Sequence, residues 1–302
     1  MSSLFSRGNP LLMVKMLFAA LLLSGCASSL LNTPRNQPLE KGQFNGAVLQ
    51  AAPAVGGETM VALSFSGGGL RAAAFSYGVL EALAKTSTRS GKPLIDDVAF
   101  ITSVSGGSIT AAYMGLHGAK GMPRFREAAL LRDGEAQLRF SLLNPVNLSR
   151  LMAGGLNDRE SFQDWLEVDL FKHATFADFY RNRKPVVWIN VTNAFRRTGF
   201  PFHERALDAI CSDLASFPVS EAVAASMAVP LFFAPVVLRT YPDHCPNTLN
   251  QLIGGRNPSE SADNKRLRAA IHRAIGDFRD PNAGRFLKLV DGGLTDNLGL
   301  VS

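Results

Sequence analysis

The sequence has few of the residues that build metal sites. Among 302 residues there are three cysteines and five histidines. No HExxH motif occurs, and no Cys or His pair stands at the spacing of metal ligands. The sequence therefore gives no support to metal catalysis, and we expect neither a metal nor another cofactor. With 46% hydrophobic and 19% charged residues, the composition is that of a globular protein and not of a disordered one.

The chain also lacks a strong excess of either charge. Lys and Arg number 31 against 25 Asp and Glu, which gives a formal charge of +6. Short basic clusters occur at Arg181–Lys184 and Lys265–Arg268. A scattered surplus of this size is typical of a solvated surface, although it also suits contact with anionic headgroups. We expect no nucleic-acid partner.

The first 26 residues predict export. Arg7 and Lys15 precede the apolar run Met16–Leu23, which is too short to cross a bilayer and is typical of a secretory signal peptide. The run ends in Leu23-Ser24-Gly25-Cys26, which resembles the bacterial lipobox. That resemblance implies cleavage before Cys26 and acylation of this cysteine, and two or more acyl chains hold a protein stably on a membrane. The alternative is an ordinary signal peptide with an incidental cysteine.

These features predict three segments: a signal peptide over residues 1–25, a lipidated N-terminus and flexible tether over 26–58, and one folded domain over 59–302. We expect a lipid-anchored protein of the bacterial cell envelope, at the outer membrane or the periplasmic face. Cys211 and Cys245 remain for a disulfide, which the sequence neither requires nor excludes. The chain ends eleven residues after Asp291, so either the fold is compact there or a C-terminal portion is missing.

Two successive strand–turn–helix units predict an α/β fold. Met60–Phe65 and Val98–Val104 are apolar runs suited to buried strands, and a glycine turn follows each. This repetition favours a mostly parallel central sheet. Val186–Val191 and Phe286–Val290 are further strand candidates, and the middle segment Gly121–Arg183 is either a cap over the site or a set of peripheral helices. The first predicted helix has its apolar positions at Ala72, Phe75, Val79, Leu80 and Leu83.

The segment Ser103-Val104-Ser105-Gly106-Gly107 lies at the second of these turns. A serine on a sharp strand-to-helix turn projects its hydroxyl where a substrate carbonyl can reach it. Small residues two positions before and after it let the turn close, as in the G-x-S-x-G motif, although Ser103 replaces the first glycine. The following helix directs its N-terminal dipole at the site and favours negative charge there. Ser105 is therefore the predicted nucleophile.

The first turn contains three consecutive glycines, Gly67, Gly68 and Gly69. Glycines between a strand and a helix leave backbone N–H groups free to point at an anion, so we expect them to form an oxyanion hole. Arg71 follows closely and could pair with a substrate phosphate. The same glycines, with Ala72, also fit the dinucleotide fingerprint G-x-G-x-x-G/A, but the acidic residue that this site needs at the end of the next strand is absent.

Asp291-Gly292-Gly293 directly follows the last predicted strand. A carboxylate at the carboxyl end of a strand lies at the edge where open α/β sheets place their sites, and Asp291 is the predicted base. A Ser-His-Asp triad of the α/β-hydrolase type needs its histidine after the acid, and none of the five follows Asp291. His244 or His272 could serve only with another acid, such as Asp208 or Asp213.

Together these motifs resemble the patatin-like phospholipase family, from about Met60 to the end of the chain. The resemblance implies a three-layer α/β/α sandwich, lipid acyl hydrolysis by a dyad of Ser105 and Asp291, and an oxyanion hole at Gly67–Gly69. The departures are Ser103 and Ala72, both small substitutes for glycine. Further matching segments are Ile189–Asn193, Gly199 with Phe202, and Ala224–Pro235, which includes Ser226.

The expected function is hydrolysis of membrane phospholipid or lysophospholipid by a phospholipase A or lysophospholipase anchored through Cys26. Two alternatives remain open: an esterase or acyltransferase that acts on soluble esters, and a catalytically silent envelope lipoprotein that uses the fold for binding. The presence of both Ser105 and Asp291 argues against the silent protein.

Overall fold

The computed structural model describes residues 33–48, 60–131, 155–157, 159–182, 185–245 and 285–300. Cys26 and the predicted signal peptide lie outside these described residues, as do Lys265–Arg268 and His272. No helix within the described ranges combines the length and the apolarity that crossing a membrane requires.

The centre of the fold is a six-stranded sheet. The strands in chain order are β1 (Val61–Phe65), β2 (Val98–Val104), β3 (Gly155–Asn157), β4 (Val186–Asn193), β5 (Thr198–Phe202), β6 (Leu231–Phe233), β7 (Val236–Arg239) and β8 (Phe286–Asp291). Strands β1, β2 and β4 are parallel, whereas β5, β7 and β8 are antiparallel to their partners. The expected α/β sandwich is confirmed, but its sheet is mixed instead of mostly parallel. Strands β3 and β6 form a separate parallel pair.

Helices surround this sheet. They are α1 (Asn45–Val48), α2 (Gly69–Lys85), α3 (Gly106–Phe125), α4 (Arg159–Asp164), α5 (Phe176–Asn182), α6 (Glu204–Ala209) and α7 (Val219–Ser226). Helix α3 packs against β1, β2 and β4, and a Cβ at Gly115 would lie 2.8 Å from Val187 Cγ2. The small residue therefore lets helix and sheet approach closely.

Helix α2 forms where its helical spacing predicted, but with a different buried face. Its buried residues are Ala73, Ser76, Tyr77 and Leu80, at the i, i+3, i+4, i+7 spacing of one helical face. Phe75, one of the apolar positions of the predicted helix, is 75% exposed. Packing against α3 sets this rotation, since the Thr110 hydroxyl donates to the Ala73 carbonyl at 2.8 Å.

Parts of the middle segment contribute to the core. After α4 a π-helical turn, Trp165–Leu170, leads towards α5. Trp165, Leu166 and Phe176 are buried in the same core cluster as the central strands. These helical parts of the segment therefore belong to the folded core.

The predicted flexible tether is partly wrong, because residues 33–48 pack against the domain. Leu39 and Asn45 are buried. The Asn45 backbone N–H and Nδ2 both donate to Asp208 Oδ1, at 2.9 and 2.6 Å, and its Oδ1 accepts from the Leu214 N–H at 2.7 Å. A polar composition suggested a linker, but buried amide side chains can satisfy backbone and carboxylate groups in a folded segment.

Cys211 and Cys245 form a disulfide, with their Cα atoms 5.0 Å apart. The Leu39 N–H donates to the Cys211 carbonyl at 2.9 Å. The bridge therefore lies beside the packed N-terminal segment, and it resolves the pairing that the sequence left open.

The register of the sheet explains how two distant motifs meet. Strand β4 pairs with β5 along one edge, over Ile189–Asn193. Its other edge is shared: β2 ends with Val104 opposite Asn190, and β8 ends with Asp291 opposite Val191. Because β2 runs parallel and β8 antiparallel to β4, the two strands point at each other along one edge. Their carboxyl ends meet there, at adjacent positions of β4.

Candidate active site

Ser105 occupies a sharp turn between β2 and α3. Its backbone has φ 50° and ψ −126°, in a region that residues with a Cβ seldom adopt and that stores strain of about 1–3 kcal/mol. The side chain is held in the interior, since the residue is only 6% exposed. A sharp strand-to-helix turn of this kind has the geometry of a nucleophile elbow, and the role of Ser105 as nucleophile stays a prediction.

The two glycines after Ser105 let the elbow contact the glycine turn backbone to backbone. A Cβ at Gly106 would lie 1.9 Å from the Gly69 carbonyl oxygen. A Cβ at Gly107 would lie 2.7 Å from the carbonyl oxygens of both Phe65 and Ser66. Because backbone atoms cannot rotate away as a side chain can, only glycine fits at either position without moving the fold.

Asp291 faces Ser105 across the gap between β2 and β8. Its Oδ2 accepts a hydrogen bond from Ser105 Oγ at 2.8 Å, and its Oδ1 accepts from the Gly293 N–H at 2.7 Å. The Asp291 N–H donates to the Ala228 carbonyl at 2.9 Å. Gly292 lets the chain after Asp291 lie close to β4, since a Cβ at this position would be 2.4 Å from the Asn190 carbonyl oxygen.

Burial makes this carboxylate more basic than an exposed one. Desolvation raises the pKa of Asp291 above its ordinary value of 3.8, while the hydrogen bonds from Ser105 and Gly293 act in the opposite direction. A carboxyl group with a raised pKa is a stronger base when it is ionised. Among the described residues no cluster of His, Cys, Asp and Glu could hold a metal ion.

The predicted oxyanion hole is only partly available in this conformation. The Gly67 N–H donates to the Asn297 carbonyl at 3.1 Å. The N–H groups of Gly68 and Gly69 have no acceptor in the described part of the chain, and both residues have positive φ, 140° and 62°. Since α2 begins at Gly69, these two amides lie at a helix N-terminus, where they favour an anion.

Arg71 lies in the first turn of α2, directly beyond the glycine turn. Its side chain is exposed. Within the described ranges no acidic side chain pairs with it, so its charge remains available to an anionic group. Its assignment to a substrate phosphate stays a prediction.

The described histidines give no support to a Ser-His-Asp triad. None of the four contacts Ser105 or Asp291 within the described structure. His203 stacks on Trp188 with ring centroids 4.5 Å apart, and its Nδ1 accepts from the Arg205 N–H. The candidate acids are engaged elsewhere: Asp208 with Asn45, and Asp213 with two backbone N–H groups of its own turn.

Two residues near the site had no role predicted from the sequence. Ser226 Oγ accepts a hydrogen bond from the Ser105 N–H at 2.8 Å. Asn297 accepts from Gly67, and its Oδ1 would lie 2.8 Å from a Cβ at Gly293. Ser226 lies inside the matching segment Ala224–Pro235, but a lone serine in an alanine-rich helix carries no signal of its own.

Fold and site together define an α/β sandwich protein in which a glycine turn, a serine elbow and an Asp-Gly-Gly turn converge. The family model described as patatin-like phospholipase matches residues 63–301. The chain belongs to this family, and it is accordingly a lipid acyl hydrolase in the general sense. No curated protein is similar enough to the chain to give a match.

Proposed function

We propose that the protein is a serine carboxylic-ester hydrolase of the phospholipase A or lysophospholipase type, with Ser105 as nucleophile and Asp291 as general base. The observation that carries this proposal is the 2.8 Å hydrogen bond from Ser105 Oγ to Asp291 Oδ2. Both groups are buried, at 6% and 7% exposure. A nucleophile and a base within hydrogen-bond distance are the required geometry for covalent acyl transfer.

The reaction proceeds in two steps, acylation of Ser105 and hydrolysis of the acyl-enzyme. Asp291 accepts the Ser105 proton while Oγ attacks the ester carbonyl, and the oxyanion forms beside the amides of Gly68 and Gly69. The tetrahedral intermediate collapses, and Asp291 returns the proton to the leaving alcohol. Asp291 then takes a proton from water, whose oxygen attacks the acyl-enzyme carbonyl. As the second tetrahedral intermediate collapses, Asp291 returns this proton to Ser105 Oγ, and the fatty acid leaves.

Apolar side chains next to the site support a lipid substrate. Leu294, three residues beyond Asp291, is 58% exposed. Val229 and Phe232, which follow the Ala228 contact to Asp291, are also exposed. Such surfaces suit acyl chains better than they suit water, and Arg71 provides a cation for a headgroup phosphate.

The kinetic test compares the wild type with Ser105→Ala and Asp291→Asn on a p-nitrophenyl acyl ester. Each variant should lower kcat by about 10⁴-fold or more, with its thermal unfolding retained. Ser220→Ala is the matched control, because Ser220 is a buried serine whose hydroxyl contacts Glu167 instead of the site. Full turnover in Ser105→Ala would contradict the proposal.

The substrate class is tested by raising lipid concentration through the onset of aggregation. A phospholipase should turn over aggregated phospholipid or lysophospholipid faster than the same lipid as monomers. Equal rates on both forms, or a preference for short soluble esters, would instead support an esterase or acyltransferase.

We also propose that Cys26 anchors the protein in the bacterial envelope, on the basis of the lipobox resemblance. Intact mass analysis of the membrane fraction should find a chain that begins at Cys26 and carries acyl chains. Cys26→Ser should release the protein from membranes. A membrane-bound Cys26→Ser protein would contradict the anchor.

A further inference from the structure

Ser226 lies at the last position of α7, directly beneath the elbow. It is completely buried. Its hydroxyl oxygen lies 2.8 Å from the Ser105 backbone nitrogen, 2.6 Å from the Asn190 carbonyl oxygen and 3.2 Å from Ser108 Oγ. One small side chain therefore contacts the nucleophile's backbone, the start of α3 and the central strand.

The chemistry of these groups fixes the direction of every bond. A backbone N–H can only donate, and a carbonyl can only accept. Ser226 must therefore accept from the Ser105 N–H and donate its single hydrogen to Asn190. Its remaining lone pair can accept from the Ser108 hydroxyl. All three hydrogen-bonding positions of the Ser226 hydroxyl are then filled, which makes the group fully satisfied although it is buried.

This arrangement ties the strained backbone of Ser105 to the strand that also positions its base. Asn190, which receives the Ser226 hydrogen, is followed on β4 by Val191, and Val191 pairs with Asp291. Two consecutive residues of one strand therefore hold the nucleophile, through Ser226, and the carboxylate, through strand pairing. Ser226 supplies the side-chain link on the nucleophile's side.

We propose that Ser226 is a positioning residue, whose hydroxyl holds the Ser105 amide and so keeps Ser105 Oγ directed at Asp291. The inference rests on the proposed function, since it assigns Ser226 a part in that reaction. Ser226 touches no reacting atom. Without its hydroxyl, the Ser105 N–H and the Asn190 carbonyl would lose a buried partner, and the strained φ of Ser105 would relax.

The test measures kcat and KM for wild type, Ser226→Ala, Ser226→Cys, Ser226→Thr and Ser220→Ala. Ser226→Ala should lower kcat by about 10- to 100-fold, as expected for a small misplacement of a catalytic group, with KM unchanged. Ser226→Thr keeps the hydroxyl and should restore most of kcat. Ser220→Ala, on the same helix and equally buried, should match the wild type.

The pH profile of kcat/KM distinguishes a positioning role of Ser226 from a general loss of packing. If Ser105 turns away, Asp291 loses the hydrogen bond that lowers its pKa. The acid limb of the kcat/KM profile should then move to higher pH in Ser226→Ala, but not in Ser220→Ala. If Ser226→Ala fails to fold, Ser226→Cys decides, because a thiol fills nearly the same space but accepts hydrogen bonds weakly.

Wild-type kcat in Ser226→Ala or Ser226→Cys would overturn this inference alone, provided that the wild type is active and Ser105→Ala is not. An equal loss in Ser226→Thr and Ser226→Ala would also overturn it, in favour of a packing role. An inactive wild type or an active Ser105→Ala variant would overturn the proposed function, and this inference with it.

Discussion

The two strands that meet at the site position the candidate residues at their carboxyl ends in different ways. Ser105, beyond the end of β2, has a positive φ and is held by distant parts of the chain, namely Ser226 and the glycine turn. Asp291, at the end of β8, has φ −46° and ψ 131°, which any residue can adopt. Its carboxylate accepts from Gly293, only two residues later.

This difference shows where the site is unfavourable for folding. On the serine side the unfavourable term is backbone strain, which tertiary contacts sustain. On the aspartate side it is desolvation of a carboxylate, which burial imposes. Both terms favour reaction over stability, and each can be removed by a different substitution.

The largest predicted effect follows from the contact between the elbow and the glycine turn. Gly106→Ala places a Cβ against the Gly69 carbonyl, and neither backbone can move without shifting a strand or helix. We expect a loss of more than about 3 kcal/mol in the free energy of unfolding, measured by urea denaturation.

Gly78→Ala is the matched control for this substitution. Gly78 lies within α2, where an added Cβ has no neighbour within 4 Å. Alanine there should stabilise the protein by roughly 0.5–1 kcal/mol, because alanine favours helix over glycine. Equal stability changes in the two variants would show that the close contact has no energetic importance.

The next effect isolates the strain at Ser105. Both Ser105→Ala and Ser105→Gly remove the hydroxyl, but only glycine accepts φ 50° without strain. We expect Ser105→Gly to unfold with a free energy about 1 kcal/mol higher than Ser105→Ala. A more stable alanine variant would contradict the strained elbow.

On the aspartate side, Asp291→Asn should raise stability near neutral pH. The folded pKa of Asp291 is raised, so its favourable contribution to stability exists below the unfolded pKa and is lost as pH rises through the folded pKa. Asparagine stays neutral and avoids that loss. We expect a gain of about 1 kcal/mol at pH about 8 that disappears on acidification below pH about 4, followed by thermal unfolding across pH. A gain independent of pH would not fit desolvation.

The smallest predicted effect concerns the pH dependence of kcat/KM in the wild type. Activity requires ionised Asp291, so kcat/KM should fall as pH decreases through the pKa of this residue. That midpoint should lie above the ordinary aspartate pKa of 3.8. A midpoint at or below 3.8, measured with a neutral substrate, would contradict a buried base.

The strands and the candidate residues were predictable on both sides, whereas the way in which the aspartate side meets the serine side was not. Apolar runs followed by glycines correctly indicated β1, β2 and the helices after them, and the elbow motif indicated Ser105. The run Phe286–Val290 indicated a strand, but a short apolar run contains no information on direction or partner. The antiparallel, end-to-end approach of β8 to β2 therefore could not be predicted.

The tertiary contacts around the site could not be predicted from the sequence either. Ser226 and Asn45 carry no local pattern, because their roles depend on backbone groups far away in sequence. The exposure of Phe75 and the packing of residues 33–48 were missed for the same reason. In both cases the neighbouring elements decide which side of the segment is buried. Local chemistry indicated the candidate nucleophile and base, whereas packing determines how they are held.

The most direct test of the central claim is the site and rate of labelling by a fluorophosphonate probe, read by peptide mass mapping. The wild type should carry one adduct, on Ser105. In Asp291→Asn labelling at Ser105 should slow by at least about 10²-fold, because the base that accepts the serine proton is lost. An adduct on another residue, or an undiminished rate in Asp291→Asn, would contradict a Ser105–Asp291 dyad.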